Sequence, residues 1–275
     1  MTKKYDLKKM GIALLKVLGF VALYFASSVV ASLVVGVCYA VIGGDTSDSA
    51  FNSLMNANAL ELTLATNAVF IIALSLIHKI NDRSLSQGCD IYIVTRGYMT
   101  VIVLGVVSQL FISGMLTVLI YFKWLPEAWI ANHMAVSSTI SDSSLAMQIF
   151  SAGIIGPIAE ELLFRGSVQK TLNTAFPRWV GIIGSALIFA LLHSSEIQMI
   201  YAFILGALIG WIYARFGSVL PTVIFHIVYN ITSVFISSMD LATLIVVCFI
   251  SACTMAWAIH VIYKMTKKTD KTDEV

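Results

Sequence analysis

The chain has 275 residues, of which 59% are hydrophobic and only 12% are charged, and its formal net charge is +2. Soluble domains carry about 25% charged residues, so this composition excludes a globular domain with one buried core. The small net charge gives no reason to expect nucleic acid as a partner. The composition instead predicts a polytopic membrane protein, with the lipid bilayer as its first partner.

Long apolar segments predict eight membrane spans, each helical because lipid offers no hydrogen-bond partner to an open backbone. We expect the spans at 12–42, 58–78, 98–122, 145–172, 179–194, 198–214, 218–237 and 241–263. The predicted fold class is therefore an all-α transmembrane helix bundle. The two longest connections, 43–57 and 123–144, are loops that can carry short interfacial helices.

Lysine and arginine concentrate at one set of span ends, which the positive-inside rule assigns to the cytoplasm. The opposite set has Lys123 alone, beside acidic residues such as Asp45 and Glu127. This asymmetry predicts that both termini are cytoplasmic. A short chain with no organelle signal and a lysine-rich C-terminus is typical of a multi-pass protein of a bacterial cell membrane.

The predicted domain organisation is a single membrane domain over 1–275. Within it, 145–238 contains the polar motifs described next and forms the expected catalytic core. The polar segment 264–275 is expected to be a disordered tail.

Three spans of the C-terminal half carry polar groups within the sequences "IAEELLFRGS", "FALLH" and "FHIVYN". The residues in question are Glu160, Glu161, Arg165, Phe189, His193, His226 and Asn230. Ionisable groups inside a bilayer cost about 2.5–3.5 kcal/mol each on insertion scales, so they persist where they pair or line a wet cavity. The positions along the spans predict that the three helices meet at one depth, in the cytoplasmic half of the membrane.

Helical spacing predicts which of these groups pair. Glu161 and Arg165 are four residues apart, so they share a helix face and can form an ion pair. Glu160 is rotated by about 100° from Glu161 and points elsewhere. One carboxylate can thus be anchored while its neighbour stays free for chemistry.

This set of side chains can hydrolyse a peptide bond in two ways. In the first, His193 and His226 bind zinc and Glu160 is the general base for a bound water. In the second there is no metal: Glu160, with His193, activates the water, while His226 and Asn230 donate hydrogen bonds to the oxyanion. The sequence alone leaves both mechanisms open, and an HExxH motif is absent.

The same residues resemble a known family. "EELLFRG", "FALLH" and "FHIVYN" match the EExxxR, FxxxH and HxxxN motifs of the CAAX protease and bacteriocin-processing family, also called Abi. That family includes the Ras-converting CAAX endopeptidases. The resemblance covers about 145–238, and three motifs in order on separate helices are specific.

The resemblance implies an intramembrane endopeptidase that cleaves a membrane-anchored protein or peptide, by CAAX-type or bacteriocin-type processing. It implies the catalytic residues Glu160, Glu161, His193, His226 and Asn230, with Arg165 and Phe189 as orienting residues. The cofactor is either none or one divalent metal such as zinc, whose ligands would be Glu160, His193 and His226. The metal-free mechanism is the favoured one.

Two other functional classes compete with the protease. A catalytically silent scaffold or bacteriocin self-immunity protein could use the same fold, although the complete set of motif residues argues against it. A proton-coupled transporter could use a glutamate–histidine relay. Transporters usually carry paired repeats, whereas the first three spans here hold only scattered polar residues such as Glu61 and Asn67.

Overall fold

The computed structural model describes residues 6–42, 44, 47–80, 91–236 and 241–267, and all regular secondary structure within these ranges is helical. The helices are α1 (Leu7–Val41), α2 (Asp48–Ala57), α3 (Ala59–Ile80), α4 (Ile91–Tyr121), α5 (Glu127–Ser141), α6 (Leu145–Leu172), α7 (Arg178–Leu191), α8 (Glu196–Phe216), α9 (Leu220–Phe235) and α10 (Leu241–Thr266). The predicted all-α membrane bundle is confirmed.

Among the described residues, six helices are long and apolar enough to cross a membrane, namely α1, α3, α4, α6, α8 and α10. The shorter apolar helices α7 and α9 occupy the places of the predicted fifth and seventh spans. With 14 and 16 residues they rise about 21 Å and 24 Å, less than a hydrocarbon core of about 30 Å. The predicted number of eight spans is therefore approximate: six of them correspond to helices long enough to cross, and the other two to shorter apolar helices.

Short helices also form in the two long connections, as expected. The hydroxyl of Ser47 accepts a hydrogen bond from the Ala50 N–H and so caps the start of α2. Pro126 directly precedes α5. Its ring holds φ at −57°, a value that suits the entry to a helix. In α5 no side chain is fully buried.

Helix α6 is irregular, with π-helical stretches at Gln148–Ile155 and Leu162–Gln169 on either side of an α-helical segment, Gly156–Glu161. In a π-helical turn the Ala152 carbonyl would accept from the N–H of residue 157. Pro157 has no N–H, so that carbonyl is left for another donor. Isolated π-helical turns are frequent at functional sites, and here two of them bracket the paired glutamates.

Two apolar clusters hold the bundle together. One joins α1, α3, α6, α7 and the first half of α8, and it includes the buried side chains of Phe70, Phe164 and Phe189. The other joins α4, α8, α9 and α10 and includes Phe225 and Tyr229. Burial of a large apolar side chain contributes about 1.5–3 kcal/mol in water, but in lipid the clusters contribute mainly close packing.

The outer faces of the bundle are apolar and exposed, above all along α1 and α10, as lipid-facing surfaces require. Helix α10 extends to Thr266, into the start of the predicted tail, and 268–275 lie outside the described residues. The disorder of the tail, the domain division and the cytoplasmic location of both termini stay predictions.

Candidate functional site

The fold brings the three motif helices together. Helix α6 carries the two glutamates and Arg165, α7 ends two residues before His193, and α9 carries His226 and Asn230. Helix α9 packs against the first π-helical part of α6 and against the α-helical part that follows. Helix α7 packs against the second π-helical part of α6. The motifs therefore share one region of the bundle.

The predicted ion pair on α6 is present and completely buried. Arg165 Nη1 donates to Glu161 Oε1 over 3.0 Å, and both side chains have 0% exposure. Two buried charges are tolerated only when each offsets the other, because each loses its hydration on burial. Glu161 is thus a fixed carboxylate held by its partner one helical turn away.

A second contact ties the ion pair to α8. Arg165 Nη2 donates over 2.8 Å to the backbone carbonyl of Gly206. One turn further along both helices, Gln169 Nε2 donates over 2.9 Å to the carbonyl of Gly210. These two contacts form a ladder between α6 and α8. A side chain at Gly206 would press on α7, since a Cβ there would lie 3.2 Å from the Ala186 Cα.

Gly206 and Gly210 form a GxxxG pattern on α8, and the ladder gives this pattern a role that sequence analysis missed. A GxxxG pattern by itself predicts only close helix packing. In the structure the two glycines also leave their carbonyls open to polar side chains of α6. The available signal was the matching four-residue spacing of Arg165–Gln169 and Gly206–Gly210.

Glu160 lies in different surroundings from its neighbour. Its side chain is 30% exposed, and its Oε2 lies 3.6 Å from His226 Nε2. The other ring nitrogen of His226, Nδ1, lies 2.9 Å from Glu161 Oε1. A carboxylate accepts, so Nδ1 donates to Glu161 and Nε2 faces Glu160. The buried imidazole therefore bridges the two glutamates.

His193 follows the last turn of α7. Its Nδ1 lies 2.8 Å from the Phe189 carbonyl oxygen. A carbonyl only accepts, so Nδ1 carries the proton and Nε2 is the basic nitrogen of the neutral ring. The same arrangement, in which one nitrogen is fixed by an acceptor and the other left available, suits a general base or a metal ligand.

The ring of Phe189 is the common neighbour of the site. It stands edge-on to His193 at 4.7 Å and to His226 at 5.8 Å between ring centroids. The Arg165 guanidinium carbon lies 5.3 Å from its centroid, and Phe164 packs on it at 5.0 Å. The predicted orienting residue thus contacts both imidazoles and the buried cation.

The side chain of Asn230 contacts a backbone carbonyl of α6. Its Nδ2 donates over 2.8 Å to the Ala152 carbonyl. That is the carbonyl which Pro157 cannot satisfy, so the amide completes the irregular start of α6. One amide proton of Asn230 is thereby committed to α6.

The position of His193 relative to α7 differs from the one expected. Helix α7 starts at Arg178 and stops at Leu191, so His193 lies in the turn beyond the helix and not within it. That turn contacts α5. The depth of the three motifs in the membrane stays a prediction.

The predicted metal ligands do not form a ready ligand set. Among the described residues, no group of three or more His, Cys, Asp or Glu side chains has the geometry to hold a metal ion. Zinc needs such donors at about 2.0–2.3 Å.

Comparison with known proteins agrees with the motif analysis. Residues 142–232, which begin directly after α5, match a family model described as type II CAAX prenyl endopeptidase Rce1-like. This match agrees with the resemblance to the CAAX protease and bacteriocin-processing family that the three motifs predicted. The match supports a CAAX-type intramembrane protease, a hydrolase within a multi-pass membrane protein. No curated protein and no solved structure gave a significant match.

Proposed function

We propose that the protein is an intramembrane endopeptidase that hydrolyses a peptide bond of a membrane-associated protein or peptide, by CAAX-type or bacteriocin-type processing. The observation that carries the proposal is the contrast between the two glutamates. Glu161 is fully buried and lies 3.0 Å from Arg165, whereas Glu160 is 30% exposed and its Oε2 lies 3.6 Å from the His226 Nε2.

Glu160 is the proposed general base. A carboxylate with access to solvent can accept a proton from water, and the resulting hydroxide attacks the scissile carbonyl carbon. The tetrahedral intermediate then collapses, the C–N bond breaks, and the proton held by Glu160 passes to the leaving amine. Atoms and charge balance with water as the only co-reactant.

His193 supports this step in the proposal. Its Nδ1 is fixed by the Phe189 carbonyl, which leaves Nε2 as the nitrogen that can orient the water or share its proton. Phe189 supports the ring at 4.7 Å. Catalytic groups that are oriented before substrate binds contribute more than mobile ones, because the ordering cost is met on folding.

His226 and Asn230 are the proposed oxyanion donors. His226 donates through Nδ1 to Glu161, so its Nε2 is directed to the side where Glu160 lies, and this nitrogen donates to the oxyanion when the ring carries a proton on both nitrogens. Asn230 has one amide proton on Ala152 and a second for the developing negative charge. Removal of a single oxyanion donor typically costs about 10²–10³ in kcat.

Comparative terminomics of host membranes tests the proposal. Membranes that contain wild-type protein are compared with membranes that contain Glu160→Gln protein at matched abundance. Glu61→Gln is the control, since it also neutralises a carboxylate within an apolar helix, but outside the proposed site. We expect peptide termini that are present with wild type and the control and absent with Glu160→Gln. Identical termini in all three would favour a silent scaffold.

The choice between direct and metal-assisted water activation has its own test. If Glu160 and His193 act directly, removal of divalent metals with 1,10-phenanthroline leaves the cleavage rate of the identified substrate unchanged. Loss of cleavage that zinc restores would instead assign Glu160, His193 and His226 to a metal.

A further inference from the structure

Helix α5 lies across the turn that joins α7 to α8. From α5, Asn132 Nδ2 donates over 2.9 Å to Glu196 Oε2 and lies 3.3 Å from the Ser194 carbonyl oxygen. The next residue, His133, places Nδ1 3.2 Å from Ser195 Oγ. Three consecutive residues of the turn are thus held by two consecutive residues of α5, more than sixty positions earlier in the chain.

The turn itself is short and follows His193 directly. On one side, the His193 N–H donates to the Ala190 carbonyl, which closes the last turn of α7. On the other, the buried Ser195 caps α8 by accepting from the Gln198 N–H over 3.2 Å. His193 therefore lies between two helix ends, and the residues that set its distance from α8 are those that α5 holds.

Polar contacts dominate the way α5 is seated here. No side chain of α5 is fully buried, so apolar packing contributes little specificity. The contact between Asn132 and the Glu196 carboxylate is charge-assisted, which is the shorter and stronger class of hydrogen bond. The ring of His133 also stands edge-on to Tyr201 of α8, with 6.2 Å between centroids.

We propose that Asn132 and His133 are positioning residues for His193. They hold the turn 194–196 and so fix the imidazole relative to Glu160. Both lie before the segment 142–232 that matches the family model. This role rests on the proposed function of His193, and it is tested by readouts that do not require proteolysis.

The first test uses Asn132→Asp, which keeps the size of the side chain but removes both donors and places a second carboxylate beside Glu196. Two measurements on the full chain in detergent follow it: amide hydrogen exchange of 191–197, and the rate at which diethyl pyrocarbonate modifies His193. We expect both rates to rise by roughly threefold or more as the turn opens locally. Ser137→Asp, on an exposed position of α5, is the control and leaves both rates unchanged.

A second change should restore the contact. In Asn132→Asp combined with Glu196→Gln, the new amide donates to the new carboxylate, so the bridge re-forms with its polarity reversed. Both rates should return towards the wild-type values. A purely non-specific loss of folding in Asn132→Asp would not be rescued in this way.

Cleavage then tests the catalytic consequence. With a substrate identified by terminomics, Asn132→Asp should lower kcat by roughly tenfold with little change in KM, because His193 is displaced while the binding surface stays. Unchanged exchange and unchanged His193 modification in Asn132→Asp would overturn the proposal, as would raised rates with an unchanged kcat. If no cleavage depends on Glu160, the proposed function fails, and the two chemical rates alone decide whether α5 positions His193.

Discussion

The two halves of the candidate site differ although they are built from neighbouring residues. On one side of α6, Glu161 is completely buried, 3.0 Å from Arg165, and its Oε1 also accepts from His226. On the other side, Glu160 is 30% exposed and its Oε2 lies 3.6 Å from the His226 Nε2. A rotation of about 100° along one helix turns two identical side chains into a structural group and a reactive one.

The difference is enforced by the surroundings of α6 rather than by the glutamates themselves. The buried half is fixed by the ladder to Gly206 and Gly210 on α8. The open half is bounded by His193 at the end of a short helix and by a turn held from α5. Rigid support on one side and access on the other are what a hydrolytic site needs.

The largest expected effect on stability comes from breaking the buried pair. Arg165→Met leaves Glu161 buried without a countercharge, and we expect a loss of about 3–5 kcal/mol in unfolding free energy. Denaturant unfolding in detergent measures it. Adding Glu161→Gln to Arg165→Met removes the stranded charge, and we expect it to recover part of the loss. Equal stability of Arg165→Met and wild type would remove the distinction between the two halves.

The ladder gives the next effect. In Gly206→Ala the new Cβ would lie 3.1 Å from Phe189 Cδ1 and 3.2 Å from the Ala186 Cα, so α7 must move. We expect a loss of about 1–3 kcal/mol from this overpacking. In Gly210→Ala the near atom is Gln169 Oε1 at 2.9 Å, the end of a flexible side chain. We therefore expect Gly210→Ala to lose less unfolding free energy than Gly206→Ala. A larger loss for Gly210→Ala in denaturant unfolding would contradict this packing of α8.

Much of this arrangement was predictable from the sequence. The spans follow from hydropathy, and the ion pair of Glu161 and Arg165 follows from helical spacing. Contacts to backbone carbonyls were not predictable, because a sequence does not say which carbonyl lacks its helical donor. The partner of Asn230 is Ala152, which depends on the π-helical turn before Pro157. The place of His193 in the turn after α7 was not predictable for a related reason, since it depends on where α7 stops.

Substitution of Asn230 is expected to have a smaller and more local effect on stability. Asn230→Ala removes one hydrogen bond to the Ala152 carbonyl, so we expect a loss of about 0.5–1.5 kcal/mol in unfolding free energy. Amide exchange near 152–157 should rise with it. An unchanged exchange rate in this segment would show that the irregular start of α6 does not depend on α9.

The smallest expected effect is a pH dependence of the contact between α5 and the turn 194–196. Burial lowers the pKa of His133 below its ordinary value. The neutral ring is therefore favoured when α5 is docked, so docking is fully stabilised above the ordinary pKa of about 6.5 and weakens as the pH falls below it. Exchange of 191–197, corrected for intrinsic rates, should be faster at low pH in wild type. His133→Gln should abolish the part of this dependence that lies near the ordinary histidine pKa of about 6.5, while the part that follows protonation of Glu196 at lower pH remains.

The central claim is that Glu160 reacts with water and Glu161 supports the site. The most direct test measures how fast Glu160→Gln protein cleaves the identified substrate, with the unfolding midpoint of the protein measured in the same sample. We expect a rate lower by about 10²–10⁴ at an unchanged midpoint, the contribution of a general base. A rate close to that of wild type, or a rate lost only in step with the midpoint, would contradict the claim.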